Sequence, residues 1–218
     1  MGLLYHIKEW INDLLFPDYC LGCDRADEIL CADCAGHLPV AGPAEDDTWA
    51  LFDYHQPLTK KLLWRLKYNG KQRIGWRLGQ LAAEKWYEDL AEIVLMTGEQ
   101  KLIIVPIPLG TRRLRQRGFN QALSIAAGLH EHTRDLTELL PDSLKRIKET
   151  GSQVKTTSRT ERLKNLKDAF GEVNPTIKNK VVLLIDDTTT TGATMQSAAL
   201  ALSRGGASRV IKLAIARG

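Results

Sequence analysis

Residues 181–194, Val181 to Thr194, read VVLLIDDTTTTGAT, and the order of parts in that stretch decides the fold. Five successive apolar residues, Val181 to Ile185, suit the centre of a parallel sheet, where a strand is buried on both faces and shows a continuous apolar run. Ligands of open α/β sheets bind where such strands end. Asp186 and Asp187 follow at that end, where a carboxylate can accept hydrogen bonds from two neighbouring ribose hydroxyls. Thr188, Thr189, Thr190, Thr191 and Gly192 then offer backbone N–H groups, hydroxyl donors and one conformationally free residue, at the start of the helical pattern Met195 to Arg204. A five-carbon sugar with a terminal phosphate fits these parts. The bland alternative is an ordinary α/β turn that carries two acids and a threonine cap. A Walker loop is excluded, because no Lys follows Gly192.

At 218 residues the chain can hold one full α/β domain with a small appendage. Its first residues do not read as a targeting segment: they carry Lys8, Glu9, Asp13 and Asp18 and lack a basic start and a cleavable small-residue site. Leu3, Leu4, Ile7, Trp10, Ile11, Leu14 and Leu15 instead form one stripe of an amphipathic helix over residues 3–15, which Pro17 ends. No run of about 20 apolar residues offers a membrane span, so the expected location is the cytoplasm. The net charge of +4 hides an asymmetry. The first fifty residues hold two Lys or Arg against ten Asp or Glu, leaving 28 basic against 16 acidic in the remainder. The main body is therefore a candidate polyanion binder. Basic density peaks at Arg112, Arg113, Arg115 and Arg117 and again at Lys145, Arg146 and Lys148. Arg115 and Arg117 are the candidates for single-stranded DNA, with plain solvated loops as the alternative.

All four cysteines fall within fifteen residues: Cys20, Cys23, Cys31 and Cys34, a C-x2-C, seven residues, then a second C-x2-C. Two such turns can aim four thiolates at one ion near 2.3 Å and leave no open coordination position, so the site is structural and zinc is the expected metal. Iron–sulfur ligation is the alternative; disulfides need an oxidising compartment that nothing in the sequence suggests. His37 lies near enough to substitute for a cysteine.

The expected domains are residues 1–47, a helix plus the metal module, and residues 48–218, an α/β domain. Pro39, Gly42, Pro43 and three acids mark the linker from Leu38 to Asp47. Trp49 to Tyr54 reads as a strand in the small domain or at the sheet edge. Leu58 to Tyr68 reads as a helix with Leu62, Leu63 and Leu66 inward and Lys60, Lys61, Arg65 and Lys67 mostly outward, stopped by Asn69-Gly70; a second helix follows. Trp64, Tyr68 and Trp76, interleaved with basic residues, either stack nucleobases or pack the core. Leu102 to Val105 reads as a strand ending in Pro106-Ile107-Pro108. The arginine run RRLRQRGFNQ lies just past it and leads into a helix over Gln121 to His130, so guanidiniums approach the crevice of Asp186. Arginine suits bidentate phosphate contacts, which makes a pyrophosphate beside the ribose phosphate, bridged by magnesium, the natural inference. A strand is expected at Leu144 to Ile147. Residues 148–162, polar and aperiodic, form a lid or simple disorder, and residues 209–216 close the sheet.

The Val181–Thr194 segment resembles the phosphoribosyl pyrophosphate (PRPP) signature of type I phosphoribosyltransferases. The whole chain resembles the ComF family, phosphoribosyltransferase-like proteins with a zinc-binding N-terminus. The resemblance is carried by LLFPDYCLGC with its paired CADC, by LKYNGKQRIGWRLG, by PIPLGTRRLRQRGFNQA, by Thr150 and Gln153 ahead of ERLKNLKDAF, and by the terminal LAIAR. It implies a type I phosphoribosyltransferase-like parallel sheet flanked by helices. In it Asp186 and Asp187 contact the ribose hydroxyls, Thr190, Thr191, Gly192, Ala193 and Thr194 hold the 5′-phosphate, and Arg112 and Arg113 match the pyrophosphate region. The family has an aliphatic and then often a bulky residue where this chain has Thr188 and Thr189. Members are associated with DNA uptake in natural transformation, beside incoming single-stranded DNA and a helicase-like partner. Three functions remain open. One is transfer of phosphoribosyl from Mg-PRPP to an unknown acceptor, with Asp186 and Asp187 as the catalytic pair. Another is a binding module for single-stranded DNA or a nucleotide. The third is docking of a protein partner on the N-terminal module.

Overall fold

A computed structural model describes residues 18–42, 47–68, 70–147 and 169–218. The helix expected at residues 3–15, the lid expected at 148–162, Thr150, Gln153 and most of ERLKNLKDAF lie outside the described residues. The chain divides into two compact units, Met1–Leu38 and Pro39–Gly218.

In the first unit, residues 18–38 form a compact turn followed by a helix. A bridge between Tyr19 and Ala26 closes the turn. The Cys20 amide donates to the Arg25 carbonyl, and the Asp24 amide to the Cys20 carbonyl. Asp24 and Asp27 adopt positive φ, at 57° and 67°. The Cys31 sulfur then caps α1 (Ala32–Gly36) by accepting from the Cys34 amide. Among the described residues of this unit, Leu30, Ala35 and Leu38 are the buried apolar residues besides Cys20 and Cys31.

The second unit is built on a five-stranded sheet of β1 (Trp49–Asp53), β2 (Leu102–Pro106), β3 (Thr137–Leu139), β6 (Val181–Thr189) and β7 (Arg209–Arg217). Its spatial order is β1-β7-β6-β2-β3, with every neighbouring pair parallel. All five residues of β2 and the first five of β6 are buried, the pattern of strands covered on both faces. β7 does not form an edge: β1 lies outside it, and β1 and β3 are the two edges. A separate antiparallel pair joins β4 (Leu144–Arg146) to β5 (Phe170–Val173).

Two long helices follow β1: α2 (Pro57–Tyr68) and α3 (Gln72–Thr97). α4 (Thr111–Arg117) and α5 (Gln121–Glu131) follow β2, and α6 (Ala193–Arg204) joins β6 to β7. α6 covers one face, where Met195, Ala198 and Leu202 pack with Val182, Leu184, Ile103, Val105 and Phe170. α5 lies against β2 and β6 and carries α3 on its back. That helix pair is set by absent side chains. A Cβ on Gly79 would stand 2.0 Å from the Ile125 carbonyl oxygen, and one on Gly128 would stand 2.0 Å from that of Trp76. Trp76 anchors the same contact, its indole N–H donating to Glu131 at 2.9 Å. Among the described residues no helix is long and apolar enough to cross a membrane.

Candidate functional site: the carboxyl ends of β2 and β6

After β2 the chain moves outward to β3, and after β6 it moves the opposite way to β7, so the order reverses between β2 and β6. Such a reversal opens a crevice at the carboxyl ends of the two strands. β6 brings Asp186, Asp187 and the threonines to that end. The loop after β2 brings the arginines.

The strand runs further than its apolar stretch. Asp186 pairs in register with Ala214, Thr188 with Ala216 and Thr189 with Arg217, which leaves only Thr190 to Gly192 as the loop. The reason is the length of β7: its nine residues give β6 a hydrogen-bonding partner beyond Ile185. Thr188 and Thr189 are therefore strand residues, Thr189 buried, while Thr190 and Thr191 are exposed. Gly192 caps α6 at φ 69°, a conformation that costs glycine little and other residues more. The Gln196 amide reaches back to the Gly192 carbonyl at 2.8 Å. The first-turn amides of Ala193, Thr194 and Met195 precede that bond at the positive end of a twelve-residue helix.

Asp187 is 7% exposed. Its Oδ1 lies 3.0 Å from Lys67 Nζ and accepts from Thr188 Oγ1 at 2.6 Å, and Lys67 also donates to Thr188 Oγ1 at 3.1 Å. Asp186 is half-buried, and its Oδ1 accepts the Asp187 amide at 2.8 Å. Desolvation, then repulsion from Asp187, pushes the Asp186 carboxyl up to about 7, against the pull of that amide, Lys67 and Arg146. Two carboxylates with one bonded ammonium leave negative charge that a ligand's cation or hydroxyl donors can relieve.

Across the crevice, the Ile107 amide donates to the Ile185 carbonyl, which ties the loop after β2 to β6. Asn120 caps α5 and donates its side-chain amide to the Ile107 carbonyl at 3.0 Å. Gly118, at φ 79°, stops α4 and lets the chain turn into that cap. Arg112, Arg113 and Arg115 are exposed on α4. Arg117 is half-buried and donates to Gln121 Oε1 at 2.8 Å, and Gln121 is itself buried and bonded to the Phe119 carbonyl. The tail of RRLRQRGFNQ thus holds Arg117. The arginine of the terminal LAIAR, Arg217, donates to the carbonyls of Gly42 and Thr48.

Lys67 was missed from the sequence, although its position carries a signal. It stands four residues after Leu63, on the inward stripe of α2, where a lysine needs a partner. Lys60, Trp64 and Tyr68 share the outward stripe, and Trp64 and Tyr68 are 56% and 57% exposed rather than packed in the core.

In the other unit, the Sγ atoms of Cys20, Cys23, Cys31 and Cys34 lie within 4.8 Å of one another. Cys31 Sγ is 3.6 Å from that of Cys20 and 3.7 Å from that of Cys23. Four sulfurs bonded at 2.3 Å around a tetrahedral ion stand about 3.8 Å apart, so the cluster fits a metal ion. All four are free thiols. Desolvation works to raise the Cys20 thiol, but the amides of Cys31, Gly22 and Cys23 outweigh it and bring it down to about 6. Contacts with Cys31 and Cys23 push Cys34 up to about 12, the behaviour of sulfurs crowded around a cation's position. His37 is outside this cluster, with Nδ1 on the Asp33 carbonyl at 2.6 Å.

No protein-family model matches the chain. Among curated proteins it is homologous to the DNA utilization protein YhgH. It is 28% identical to that of Escherichia coli K12 over 201 residues, which span 88% of this chain and 85% of the relative. It is 30% identical to that of Salmonella typhi over 163 residues, 72% of this chain and 66% of the relative. Among solved structures, an allosteric regulatory enzyme of purine biosynthesis aligns at 17% identity with a TM-score of 0.38. That alignment covers 64% of this chain and only 25% of that one.

Proposed function

We propose, for a chain homologous to the DNA utilization protein YhgH of the ComF family, that it is a cytoplasmic DNA-uptake factor of natural transformation with a ribose-phosphate pocket for Mg-PRPP. The observation that carries this reading is the acidic pair Asp186–Asp187 at the β2/β6 reversal, followed five residues after Asp187 by Gly192, which caps the start of α6. In this reading Asp186 and Asp187 accept from the ribose hydroxyls. Thr190, Thr191, Gly192, Ala193 and Thr194 surround the 5′-phosphate with amides and hydroxyls, and Thr188 and Thr189 set the loop from within β6. Arg112 and Arg113 face the pyrophosphate. Carboxylate oxygens suit magnesium, and Asp186, whose charge is the less compensated of the pair, is the side chain to meet it. When bound, magnesium neutralises pyrophosphate charge. Zinc is the metal of Cys20, Cys23, Cys31 and Cys34, in a structural role.

Calorimetric titration of Mg-PRPP into the zinc-loaded protein tests the pocket, with Asp186→Asn/Asp187→Asn as control. Saturable heat in the wild type that the double variant loses is expected; a folded wild type that takes up no PRPP overturns the reading.

The arginine-bearing loop across the crevice from the acidic pair favours a second reading, an active phosphoribosyltransferase. Arg112 and Arg113 would stabilise departing pyrophosphate while the two carboxylates hold the ribose and offset positive charge developing on the sugar ring. Pyrophosphate release with a base or amine acceptor, lost in Asp187→Asn, separates it from binding alone. Single-stranded DNA belongs to the reading through the basic remainder of the chain. Its affinity should fall with salt at a log–log slope of about 0.7 per phosphate contacted, and replacing Arg115 and Arg117 should flatten that slope. A helicase-like partner would dock on the acidic N-terminal module.

A further inference from the structure

The outward stripe of α2 opens into a cleft of about 610 Å³, bounded by Tyr54 at the end of β1, by Lys60, Trp64, Lys67 and Tyr68 of α2, and by Arg117 at the end of α4. Trp64 and Tyr68 stand one helical turn apart with ring centroids 5.7 Å apart. The Arg117 guanidinium lies 5.8 Å from the Tyr68 ring and Lys60 Nζ lies 5.9 Å from the Tyr54 ring. Both α2 rings expose more than half their surface, so the core does not account for them. A simple anion site has no need of two exposed rings, and an apolar ligand has no need of Lys60 and Arg117 beside them. Rings alternating with cations match a chain that alternates flat bases with phosphates. Lys67 lines this cleft and also holds Asp187, so the cleft adjoins the carboxylates of the pocket.

We infer that this cleft is a base-stacking subsite for single-stranded nucleic acid, with Trp64 and Tyr68 as the stacking platform and Lys60 and Arg117 pairing with the flanking phosphates. The inference rests on the single-stranded DNA component of the proposed function and adds where the bases sit and by what chemistry. Stacking on ring faces is tolerant of sequence, so the subsite takes any base and discriminates bases from abasic backbone.

The test is fluorescence anisotropy of a labelled twelve-residue oligothymidylate and of an abasic oligonucleotide of equal length, titrated with the zinc-loaded full chain at several salt concentrations. Trp64→Ala is expected to weaken oligothymidylate binding about tenfold with an unchanged salt slope and to erase the preference over the abasic strand. Trp64→Phe should keep most of the affinity, which guards against a folding artefact. Lys60→Ala should lower the slope by about 0.7. If Trp64→Ala and Tyr68→Ala both bind oligothymidylate and abasic strand as the wild type does, the subsite is overturned while DNA binding stands. If the wild type ignores both strands at low salt, subsite and DNA component fall together. Mg-PRPP titration of Trp64→Ala reads the pocket independently and is expected to match the wild type.

Discussion

Lys67 is the residue on which the acidic pair depends. It neutralises Asp187 and is also bonded to Thr188, and a residue without the hydroxyl could not complete that triangle. Lys67→Met leaves two adjacent carboxylates with no bonded ammonium, which is expected to cost roughly 2–4 kcal/mol of stability, because removing one partner of a buried pair strands the other's charge. Lys67→Met/Asp187→Asn should recover most of the loss, and urea denaturation of the single and double variants measures it. Asp186 makes a separate prediction about pH. Its carboxyl is raised from 3.8 to about 7 in the folded chain, chiefly by desolvation. Between those values the folded state holds a proton that the unfolded state has released, so its contribution to stability is full below about pH 4 and is lost as pH rises through 7. Asp186→Asn lacks that dependence. Its urea midpoint should gain on the wild type between pH 5 and pH 8, by about 2–3 kcal/mol in free energy; parallel profiles would contradict the shift. At this scale the sequence was legible for the placement of Asp186, Asp187 and Gly192 between a strand and a helix, because the apolar run and the helical pattern on either side each carry their own period. Lys67 was not legible, because its partner lies 120 residues away and only the fold joins them.

At the scale of elements, the α3–α5 contact makes the sharpest claim. Gly79 and Gly128 let the two backbones meet, and any Cβ there collides with a carbonyl oxygen that cannot swing aside. Gly79→Ala and Gly128→Ala should each cost about 3 kcal/mol or more by forcing the helices apart. Gly98, which ends α3 at φ 67° with open space around it, should cost only about 1 kcal/mol as alanine, from backbone strain alone. Thermal melts of the three variants would rank them, and equal losses would contradict close packing as the cause. The central strands and the long helices were legible because each carries its own period: β2 and β6 are continuously apolar, and α2 repeats its leucines at helical spacing. β3 and β5 were not. Three residues such as Thr137 to Leu139 are too few to show a period, and Phe170 to Val173 finds its partner β4 only in three dimensions. The threonine loop was placed two residues early for a related reason. Thr188 and Thr189 have no apolar signature, and they stay in strand because β7 reaches far enough to pair with them.

At the scale of the whole molecule, the two units are held by different forces. The sheet unit buries apolar residues from five strands and several helices, whereas residues 18–38 bury Leu30, Ala35, Leu38 and two cysteines. So small a core supplies at most a few kcal/mol, at about 1.5–3 kcal/mol per large side chain, against an ordering cost of about 1–2 kcal/mol for each of its residues. For these described residues, metal ligation by the four cysteines is the proposed source of the difference, as in other small modules whose folding free energy is their metal-binding free energy. The predicted consequence is selective. Chelation, or Cys31→Ser, should release one equivalent of zinc and erase the slow hydrogen exchange of the Leu21, Asp24, Asp27 and Ala35 amides, each bonded within the module. Amides of Val182 to Ile185 should keep their protection, because their strand pairs on both sides inside its own apolar core. Cys31 is the right residue to replace, since its sulfur lies near those of Cys20 and Cys23 and also caps α1, so one substitution removes a ligand and a helix start together. Module amides that stay protected in the metal-free protein would show that the turn and the short helix stand without an ion, and would make the cysteines dispensable to the fold.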